Sequence, residues 1–409
     1  MNETRKTCRI CHSPDIQPVL SLGTTPLADA FRRPEQLSQD EPRFPLTAAF
    51  CPRCSLLQLL ETVPPEVLFC QDYPYYSSFS PALLKHSREN ALDLIGSRHL
   101  NGSSLVVEVA SNDGYLLKNF VEHGIPVLGI DPAEGPVRAA NANGVPTQCA
   151  FFGESLAKEL AAAGKAADVI IGNNVLAHVA DLHGFVEGIR ILLKPDGVAV
   201  IEMPYVKDLV DHCEFDTMYH EHLCYFSVTA LNHLFRMHGL FLNDAKPLSI
   251  HGGSLRIYVE KKEAVSSRLR SMLQVEAEQK VDRFDYYRDF ADKVQKIRTD
   301  LRQLLACLKS QGSRIAAYGA AAKGSTLINY CDIGTEFIDF VVDRNTYKQG
   351  LFMPGQQIPI LAPEAILEQM PDYVLLLAWN FADEILEQQK EYRQRGGRFI
   401  VPVPKPRVV

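Results

Sequence analysis

The 409-residue sequence lacks long apolar runs and lacks an excess of positive charge. No segment approaches the roughly 18 apolar residues that a membrane-spanning helix needs, and no apolar stretch follows the charged N-terminal residues as in a signal peptide. We therefore expect a cytoplasmic protein with no membrane partner. The net charge of −7 disfavours a nucleic-acid partner, because neutralising many phosphates requires surplus Lys and Arg.

The sequence also lacks an obvious coiled-coil seam, which favours a monomer. Its length is sufficient for two or three domains with large cores, so disulfide bonds are not needed for stability. Disulfides are also uncommon in the cytosol. Six of the ten cysteines are scattered, and we expect them to be small buried hydrophobic residues: Cys70, Cys149, Cys213, Cys224, Cys307 and Cys331.

The other four cysteines form two Cys-x-x-Cys pairs, Cys8 with Cys11 and Cys51 with Cys54. Two such turns can surround one ion with a tetrahedron of thiolates, which suits zinc. A redox dithiol is the alternative, but that motif normally occurs once, near a βαβ unit. His12 is a competing ligand, yet four thiolates already close the coordination shell. The pattern therefore predicts a structural zinc ion with no open position for catalysis.

The middle of the chain alternates buried strands with helices, which predicts an α/β fold with a doubly wound parallel sheet. The strands are expected at residues 105–110, 127–130 and 168–171, and a Leu-Lys-Pro-Asp-Gly turn at 193–197 leads into another. Ligands bind such sheets outside the carboxyl ends of the strands. The residues predicted to bind a cofactor there are Glu108, Ala110, Ser111, Asn112, Asp113, Gly114, Asp131, Asn173 and Asn174.

The first turn of this sheet selects between two cofactors. Asp131, 23 residues after Glu108, can accept hydrogen bonds from two ribose hydroxyls of either NAD or S-adenosylmethionine (SAM). The turn reads Glu-x-Ala-x-Asn-x-Gly and lacks the glycines that let a backbone approach a pyrophosphate, a group that SAM does not have. Residues 168–181 and the turn at 193–197 also resemble class I methyltransferases. SAM is therefore favoured over the alternative, a Rossmann dehydrogenase.

Titratable groups are densest at Tyr219-His220-Glu221-His222. In an extended segment, His220 and His222 would share one face, where they could bind a metal or supply a general base. A polar loop without chemistry is the alternative. His178 lies just past the fourth strand, on the rim of the predicted cofactor pocket. Tyr73 and Tyr76 precede the sheet, where aromatic residues either pack a domain junction or enter a site.

The last third of the chain predicts one or two long helices in 264–311, followed by a second α/β unit. Strands are expected at 314–319, 337–342 and 373–378. The Gly319-to-Gly324 turn opens a helix and is a possible anion site, although the motif is incomplete. Arg256, in a Gly-Gly-Ser-Leu-Arg segment, is a candidate for phosphate binding.

These motifs, taken in order, resemble the sugar C-methyltransferases of deoxysugar biosynthesis over essentially the whole chain. The resemblance rests on the paired Cys-x-x-Cys motifs and on the segments 22–28, 73–78, 108–114, 219–226, 251–256 and 318–324. It implies three domains: a zinc-binding domain at 1–70, a SAM-binding domain at 71–263, and helices plus a Rossmann-like domain at 264–409. SAM and structural zinc would be the cofactors.

The resemblance further implies methylation at carbon 3 of a dTDP- or GDP-linked 4-keto-6-deoxyhexose, through an enolate. His222 would be the base, while Tyr219, Glu221 and His178 position it or stabilise the enolate. One of Tyr73 and Tyr76, with Tyr73 slightly favoured, would close the pocket. The residues expected to bind the substrate are His251, Gly253, Ser254, Arg256, Lys323, Trp379 and Asn380.

Several alternatives remain at this point. Carbon 5 of the sugar or a non-sugar acceptor could be methylated instead. A zinc-containing RNA methyltransferase is disfavoured by the acidic charge, and an NAD-dependent oxidoreductase by the first turn. A non-enzymatic scaffold would leave the Tyr-His-Glu-His cluster unexplained.

Overall fold

A computed structural model describes residues 3–69, 77–79, 81–248 and 250–409. Tyr73, Tyr76 and Cys70 lie outside the described residues, as does the side chain of His251. None of the described helices combines the length and the apolar character required to cross a bilayer.

The N-terminal part is a small antiparallel β structure that carries the four cysteines in its turns. Its elements are β1 (Glu3–Thr4), β2 (Gln17–Pro26), β3 (Arg43–Phe50), β4 (Leu57–Leu59), β5 (Glu61–Thr62) and helix α1 (Pro65–Phe69). Strands β2, β3 and β4 pair in sequence, while β1 pairs with β5. The inner residues of β3 and β4 are buried because both faces of this sheet are covered.

The middle part is a seven-stranded sheet with helices on both faces, as the strand pattern predicts. Its strands are β6 (Val106–Val109), β7 (Val127–Asp131), β8 (Thr147–Cys149), β9 (Ala167–Asn173), β10 (Leu193–Pro204), β12 (Phe241–Leu248) and β13 (Ser254–Glu260). Their order is β12-β13-β10-β9-β6-β7-β8, in which the five strands β6 to β10 are parallel. Strand β13 is antiparallel to both of its neighbours, so β12 runs in the same direction as β10. The 193–197 segment is part of β10, where it forms a register irregularity rather than a separate turn.

Helices and one short strand connect the strands of this sheet. They are α2 (Pro81–Ser97), α3 (Lys118–Val121), α4 (Glu134–Ala142), α5 (Glu154–Ala162), α6 (Leu182–Leu192), α7 (Val206–Asp211), β11 (Cys224–Tyr225) and α8 (Val228–Met237). The side chains of Asp181 and Ser227 cap α6 and α8 by accepting backbone N–H bonds. Strand β11 leaves the middle part and pairs with β4, so the N-terminal sheet continues into the segment that carries the Tyr-His-Glu-His cluster.

The C-terminal part consists of two helices followed by a six-stranded sheet. Its elements are α9 (Ser267–Glu278), α10 (Phe290–Ser310), β14 (Ile315–Tyr318), α11 (Ala322–Cys331), β15 (Val341–Val342), β16 (Ile360–Leu361), α12 (Ala365–Gln369), β17 (Tyr373–Leu376), α13 (Ala382–Gln388), α14 (Lys390–Gln394), β18 (Arg398–Val401) and β19 (Arg407–Val408). The order is β16-β15-β14-β17-β18-β19, with only the last pair antiparallel among these strands. Strand β15 covers only Val341–Val342, so it is much shorter than the strand predicted at 337–342.

The three parts share a core. One apolar face of α10, with Phe290, Val294 and Ile297 at helical spacing, packs in the same cluster as β2, β3, α7 and β14. The N-terminal loops also contact the C-terminal part directly, because the carboxylate of Glu41 accepts the backbone N–H of Gly355 at 2.9 Å. The domain boundaries after residues 70 and 263 stay a prediction.

The scattered cysteines divide into two groups. Cys213, Cys224 and Cys331 are buried as expected. Cys149 and Cys307 are exposed, so the expectation of burial is wrong for these two. Cys149 closes the edge strand β8, and Cys307 lies on the solvent side of α10.

Candidate active site and zinc site

The four cysteine sulfurs converge at the tip of the N-terminal sheet, with every pair within 4.8 Å. Sγ of Cys8 lies 3.3 Å from that of Cys54, and Sγ of Cys11 lies 3.5 Å from that of Cys51. Tetrahedral zinc with Zn–S bonds of about 2.3 Å needs sulfurs about 3.8 Å apart, so the cluster fits this ion with little adjustment. His12 is exposed and stacks near His183 instead of joining the cluster.

The turn after β6 forms one end of a cavity of about 750 Å³. Ala110, Asn112 and Gly114 all have left-handed backbones, with φ of 57°, 49° and 79°. A Cβ at position 114 would lie 3.0 Å from Val145, so glycine is required there for space as well as conformation. This tight turn lets the backbone N–H of Asn112 donate to Oδ2 of Asp131 at 2.9 Å.

Asp131 is held at the end of β7 with its carboxylate at the cavity wall. Its Oδ1 accepts the N–H of Ala133 at 2.8 Å, which fixes the carboxylate orientation. Burial raises the pKa of Asp131, while these two backbone hydrogen bonds oppose the shift. Each oxygen retains a lone pair that can accept a ribose hydroxyl.

Several buried polar atoms beside this turn have no hydrogen-bond partner among the described residues. They belong to Glu108 (both carboxylate oxygens), Ser111 (Oγ), Asp113 (Oδ1) and Asn173 (both amide atoms). Buried polar atoms are nearly always paired, so such a cluster at the strand ends indicates a polar ligand. Burial, with the charges of Asp131, Asp113 and Glu202, holds the pKa of Glu108 well above its ordinary value. Asn174 also lines the cavity.

The structure adds an apolar wall that the sequence analysis missed. Pro132, Ala133, Ala150, Phe151 and Phe152 line the cavity on the side next to Asp131. Phe151 is 44% exposed, which is unusual for a phenylalanine. The only sequence signal is a Phe-Phe pair directly after a short strand, and that pattern equally indicates core packing. Such a wall suits a flat heteroaromatic ring.

The Tyr-His-Glu-His segment lies at the other end of the cavity, and it is a turn rather than an extended strand. The N–H of His222 donates to the carbonyl of Tyr219 at 2.8 Å, so these two side chains meet. His220 faces away and contacts the carbonyl of Pro45 at 3.1 Å. The two histidines therefore do not share a face, and the His-x-His metal site is excluded.

Two hydrogen bonds define the protonation of the His222 ring. Nδ1 lies 2.8 Å from the carbonyl of Thr217, which can only accept, so Nδ1 carries a proton. Nε2 lies 2.8 Å from the hydroxyl of Tyr219. In the neutral ring, Nε2 is thus the basic nitrogen and receives the Tyr219 hydrogen bond. The ring of His178 packs edge-on against His222 at 4.7 Å.

Burial disfavours the charged forms of two neighbouring groups. It lowers the pKa of His178 to about 4, opposed by a hydrogen bond with the backbone of Glu221. It holds the pKa of the Glu221 carboxyl well above the ordinary value, with Asp29 adding to the shift and Lys348 opposing it. Both residues line the cavity.

Some of the residues predicted to bind the substrate line the cavity, and others do not. Lys323 and Asn380 line the cavity. Trp379 lies behind Lys323, with the lysine Nζ 5.2 Å from its ring centroid, and its indole N–H donates to Oδ2 of Asp216 at 2.6 Å. The backbone N–H of Ala320, in the turn considered as an anion site, donates to the carboxylate of Asp343 at 2.7 Å.

The expectation that Arg256 binds a phosphate is not supported. Its side chain is buried and Nε donates to Oε1 of Glu202 at 2.6 Å, while His86 contacts both partners. Gly253 and Ser254 also lie outside the cavity wall. Gly253 packs against Asp208, and the hydroxyl of Ser254 donates to the carbonyl of Ile250. This segment therefore supports the wall from behind.

Three family models match successive parts of the chain: a zinc binding domain at residues 8–69, a methyltransferase domain at 82–242, and a C-methyltransferase C-terminal domain at 249–404. The C-methyltransferase NovU of Streptomyces niveus is 39% identical over 406 residues, covering 98% of this chain and 96% of the relative. The ubiquinone biosynthesis O-methyltransferase of Rhizobium rhizogenes is 27% identical over 132 residues, covering 30% of this chain and 52% of the relative.

Among solved structures, the magnesium protoporphyrin IX methyltransferase of Synechocystis with bound SAM superposes with a TM-score of 0.34 and 14% identity. That match covers 44% of this chain and 79% of the other. The full-length relative and the three domain matches, together with the four-cysteine cluster and the cofactor-binding end of the central sheet, point to one family. The chain belongs to the zinc-containing sugar C-methyltransferases and is a SAM-dependent C-methyltransferase.

Proposed function

We propose that the protein methylates carbon 3 of a nucleotide-linked 4-keto-6-deoxy sugar, carried by dTDP or GDP, through an enolate. The observation that carries this proposal is the hydrogen-bonded Tyr219–His222 pair, which shares one cavity with Asp131. A carbon acid needs a positioned base, and a keto group beside the carbon makes its proton acidic enough for imidazole.

The donor end of the cavity has groups for each part of SAM. Asp131 would accept the two ribose hydroxyls, and the wall formed by Phe151 and Pro132 would hold the adenine. The unpaired amide of Asn173, which lines the cavity, would bind the amino-acid portion, and the unpaired atoms of Glu108 and Asp113 lie beside the same turn without lining the cavity. Bound SAM supplies an electrophilic methyl group on a sulfonium, and its carbon–sulfur electron pair remains on the departing thioether.

At the acceptor end, Nε2 of His222 would remove the proton from the carbon next to the ketone. The electron pair of the broken carbon–hydrogen bond moves to the keto oxygen, and the enolate carbon then forms the new carbon–carbon bond. The Tyr219 hydroxyl would turn from Nε2 towards the enolate oxygen. Glu221, whose ionisation burial disfavours, and His178, whose pKa is lowered to about 4, would stabilise this charge by hydrogen bonding.

The experiment is incubation of the protein with SAM and a panel of dTDP- and GDP-linked 4-keto-6-deoxy sugars, with product masses as the readout. We expect the gain of one methylene mass on one member of the panel. In deuterated water without SAM, the ring proton beside the ketone should exchange, and its position distinguishes carbon 3 from carbon 5.

His222→Gln should abolish both exchange and methylation while SAM binding by calorimetry persists. His220→Gln is the matched control, because that ring contacts Pro45 and Phe44 and does not line the cavity. Measurable SAM binding without a mass gain on any sugar would contradict the proposal and indicate a non-sugar acceptor. Exchange at carbon 5 would instead indicate carbon 5, not carbon 3, as the methylated position.

A further inference from the structure

Three ionisable residues that are far apart in the sequence lie together on the cavity wall. Asp29 comes from the loop after β2, Glu221 from the Tyr-His-Glu-His turn, and Lys348 from the loop between β15 and β16. The reaction outlined above uses only Glu221. Asp29 and Lys348 thus remain as two desolvated groups of opposite charge with no assigned role.

Lys348 is 9% exposed, and two contacts with other described residues hold its ammonium. Nζ donates to the carbonyl of Ala320 at 2.7 Å and lies 4.7 Å from the ring centroid of Phe31. An ammonium has three N–H donors, so this arrangement leaves donors available at the cavity wall. Burying an ammonium is costly unless acceptors complete its hydrogen bonds.

One of the two carboxyl groups beside Lys348, that of Asp29, is also incompletely satisfied. Oδ1 of Asp29 is buried and has no hydrogen-bond partner among the described residues. Glu221 is 6% exposed and lines the cavity, where the charges of Asp29 and Lys348 act on its carboxyl group. The unpartnered carboxyl oxygen of Asp29 on this wall indicates a polar ligand group.

Hydrogen bonds with the C-terminal part hold the backbone near Asp29 in place. Arg32 and Phe352 exchange two backbone hydrogen bonds, at 3.0 and 2.8 Å, which ties the loop after β2 to the loop that follows Lys348. Because both loops are joined, Asp29 and Lys348 keep a defined relative position. The pair is therefore preorganised, which reduces the entropy cost of binding a ligand.

We propose that Asp29 and Lys348 form a subsite for one ring hydroxyl of the acceptor, beside Glu221. A hydroxyl is both acceptor and donor, so it can take a hydrogen bond from Nζ of Lys348 and give its own to Asp29. A phosphate would be repelled by the acid, and an amine by the ammonium. This inference rests on the proposed function, since it deepens the identity of the acceptor as a polyhydroxylated ring.

The test is a cycle of enzyme variants against acceptor analogues. The accepted keto sugar nucleotide is compared with deoxy analogues that each lack one ring hydroxyl, using wild type, Lys348→Met and Asp29→Asn. We expect wild type to prefer one hydroxyl by about 10–100-fold in kcat/KM. In both variants, the preference for that hydroxyl should fall to within about threefold, because each substitution removes a side-chain group that hydrogen-bonds to it.

Lys323→Met is the matched control, because Lys323 lines the same cavity beside Glu214 and Asp216; it should lower kcat/KM for hydroxy and deoxy acceptors alike. SAM binding by calorimetry verifies folding, and the isosteric Asp29→Asn remains decisive if Lys348→Met is unstable. A preference that persists in Asp29→Asn, or is absent from wild type for every hydroxyl, overturns the subsite alone. Wild type without turnover on any sugar overturns the proposed function, and the subsite with it.

Discussion

The hydroxyl of Tyr219 lies 2.8 Å from Nε2 of His222, and the two residues belong to one turn closed by the N–H of His222 on the carbonyl of Tyr219. The carbonyl of Thr217 holds the other ring nitrogen. The base is therefore oriented by its own local backbone, and the tyrosine is the group that can exchange a hydrogen bond with an arriving acceptor.

Tyr219→Phe should lower kcat by about 10–100-fold with little change in KM for SAM, because the base remains but its hydrogen-bonding partner is lost. Solvent deuterium exchange into the acceptor should slow in parallel. Tyr225→Phe is the matched control, since Tyr225 is buried in the neighbouring strand β11 and does not line the cavity. Equal losses in the two variants would contradict a specific role for Tyr219.

The central sheet and the zinc site could be predicted because their signals are local. Buried strands appear as apolar runs, and paired Cys-x-x-Cys motifs carry their own geometry. The ion pair of Arg256 could not be predicted, because its partner Glu202 is opposite it on the neighbouring antiparallel strand. That register is not visible in the sequence, so the arginine was interpreted as a phosphate ligand. Side-chain directions in the Tyr-His-Glu-His segment depend on a turn rather than on strand alternation. The meeting of Asp29 and Lys348 depends on domain packing.

Glu214 gives a pH-dependent contribution to stability. Burial raises its pKa to about 7, with Lys323 opposing the shift and Asp216 and Asp208 adding to it. A raised carboxyl pKa means that this group's contribution is fully present below the unfolded value of 4.5 and is lost as pH rises through 7. Glu214→Gln should therefore stabilise the protein increasingly from pH 5 to pH 8, by a gain of about 2 kcal/mol.

The measurement is the difference in melting temperature between Glu214→Gln and wild type at these two pH values, with zinc present. Glu159→Gln, on the exposed side of α5, is the control and should give the same small difference at both. A Glu214→Gln difference that does not grow with pH would mean that the carboxyl is ionised at little cost.

Zinc should be structural, with one ion per chain by elemental analysis. Cys51→Ser should lose the ion and most activity, although the cysteines do not line the cavity, because the zinc-bound turns anchor β4 and β4 pairs with β11 beside His222. Structural zinc contributes on the order of 10 kcal/mol to folding of small domains, so melting should shift by many degrees. Cys149→Ser, at an exposed sulfur, should keep both zinc and activity. Full activity after complete chelation would contradict this role.

Trp379 is the single tryptophan of the chain, so its fluorescence reports on the junction between the central and C-terminal parts. Its indole N–H donates to Asp216, whose pKa burial raises to about 6 against the opposing effects of Lys323 and this hydrogen bond. We expect the emission to change with an inflection near pH 6, as the carboxylate that accepts the indole proton becomes protonated. Addition of the acceptor nucleotide sugar should also change the emission, because Lys323 lies over the ring.

Asp216→Asn should remove the inflection near pH 6, because an amide does not titrate there. Glu214→Gln separates the two neighbouring acids: it should keep the inflection near pH 6, because Glu214, with a pKa of about 7, is still mostly protonated where Asp216 titrates. An inflection that survives in Asp216→Asn would assign the titration to another group. Emission that responds to SAM but to no nucleotide sugar would place the acceptor away from Lys323 and Trp379.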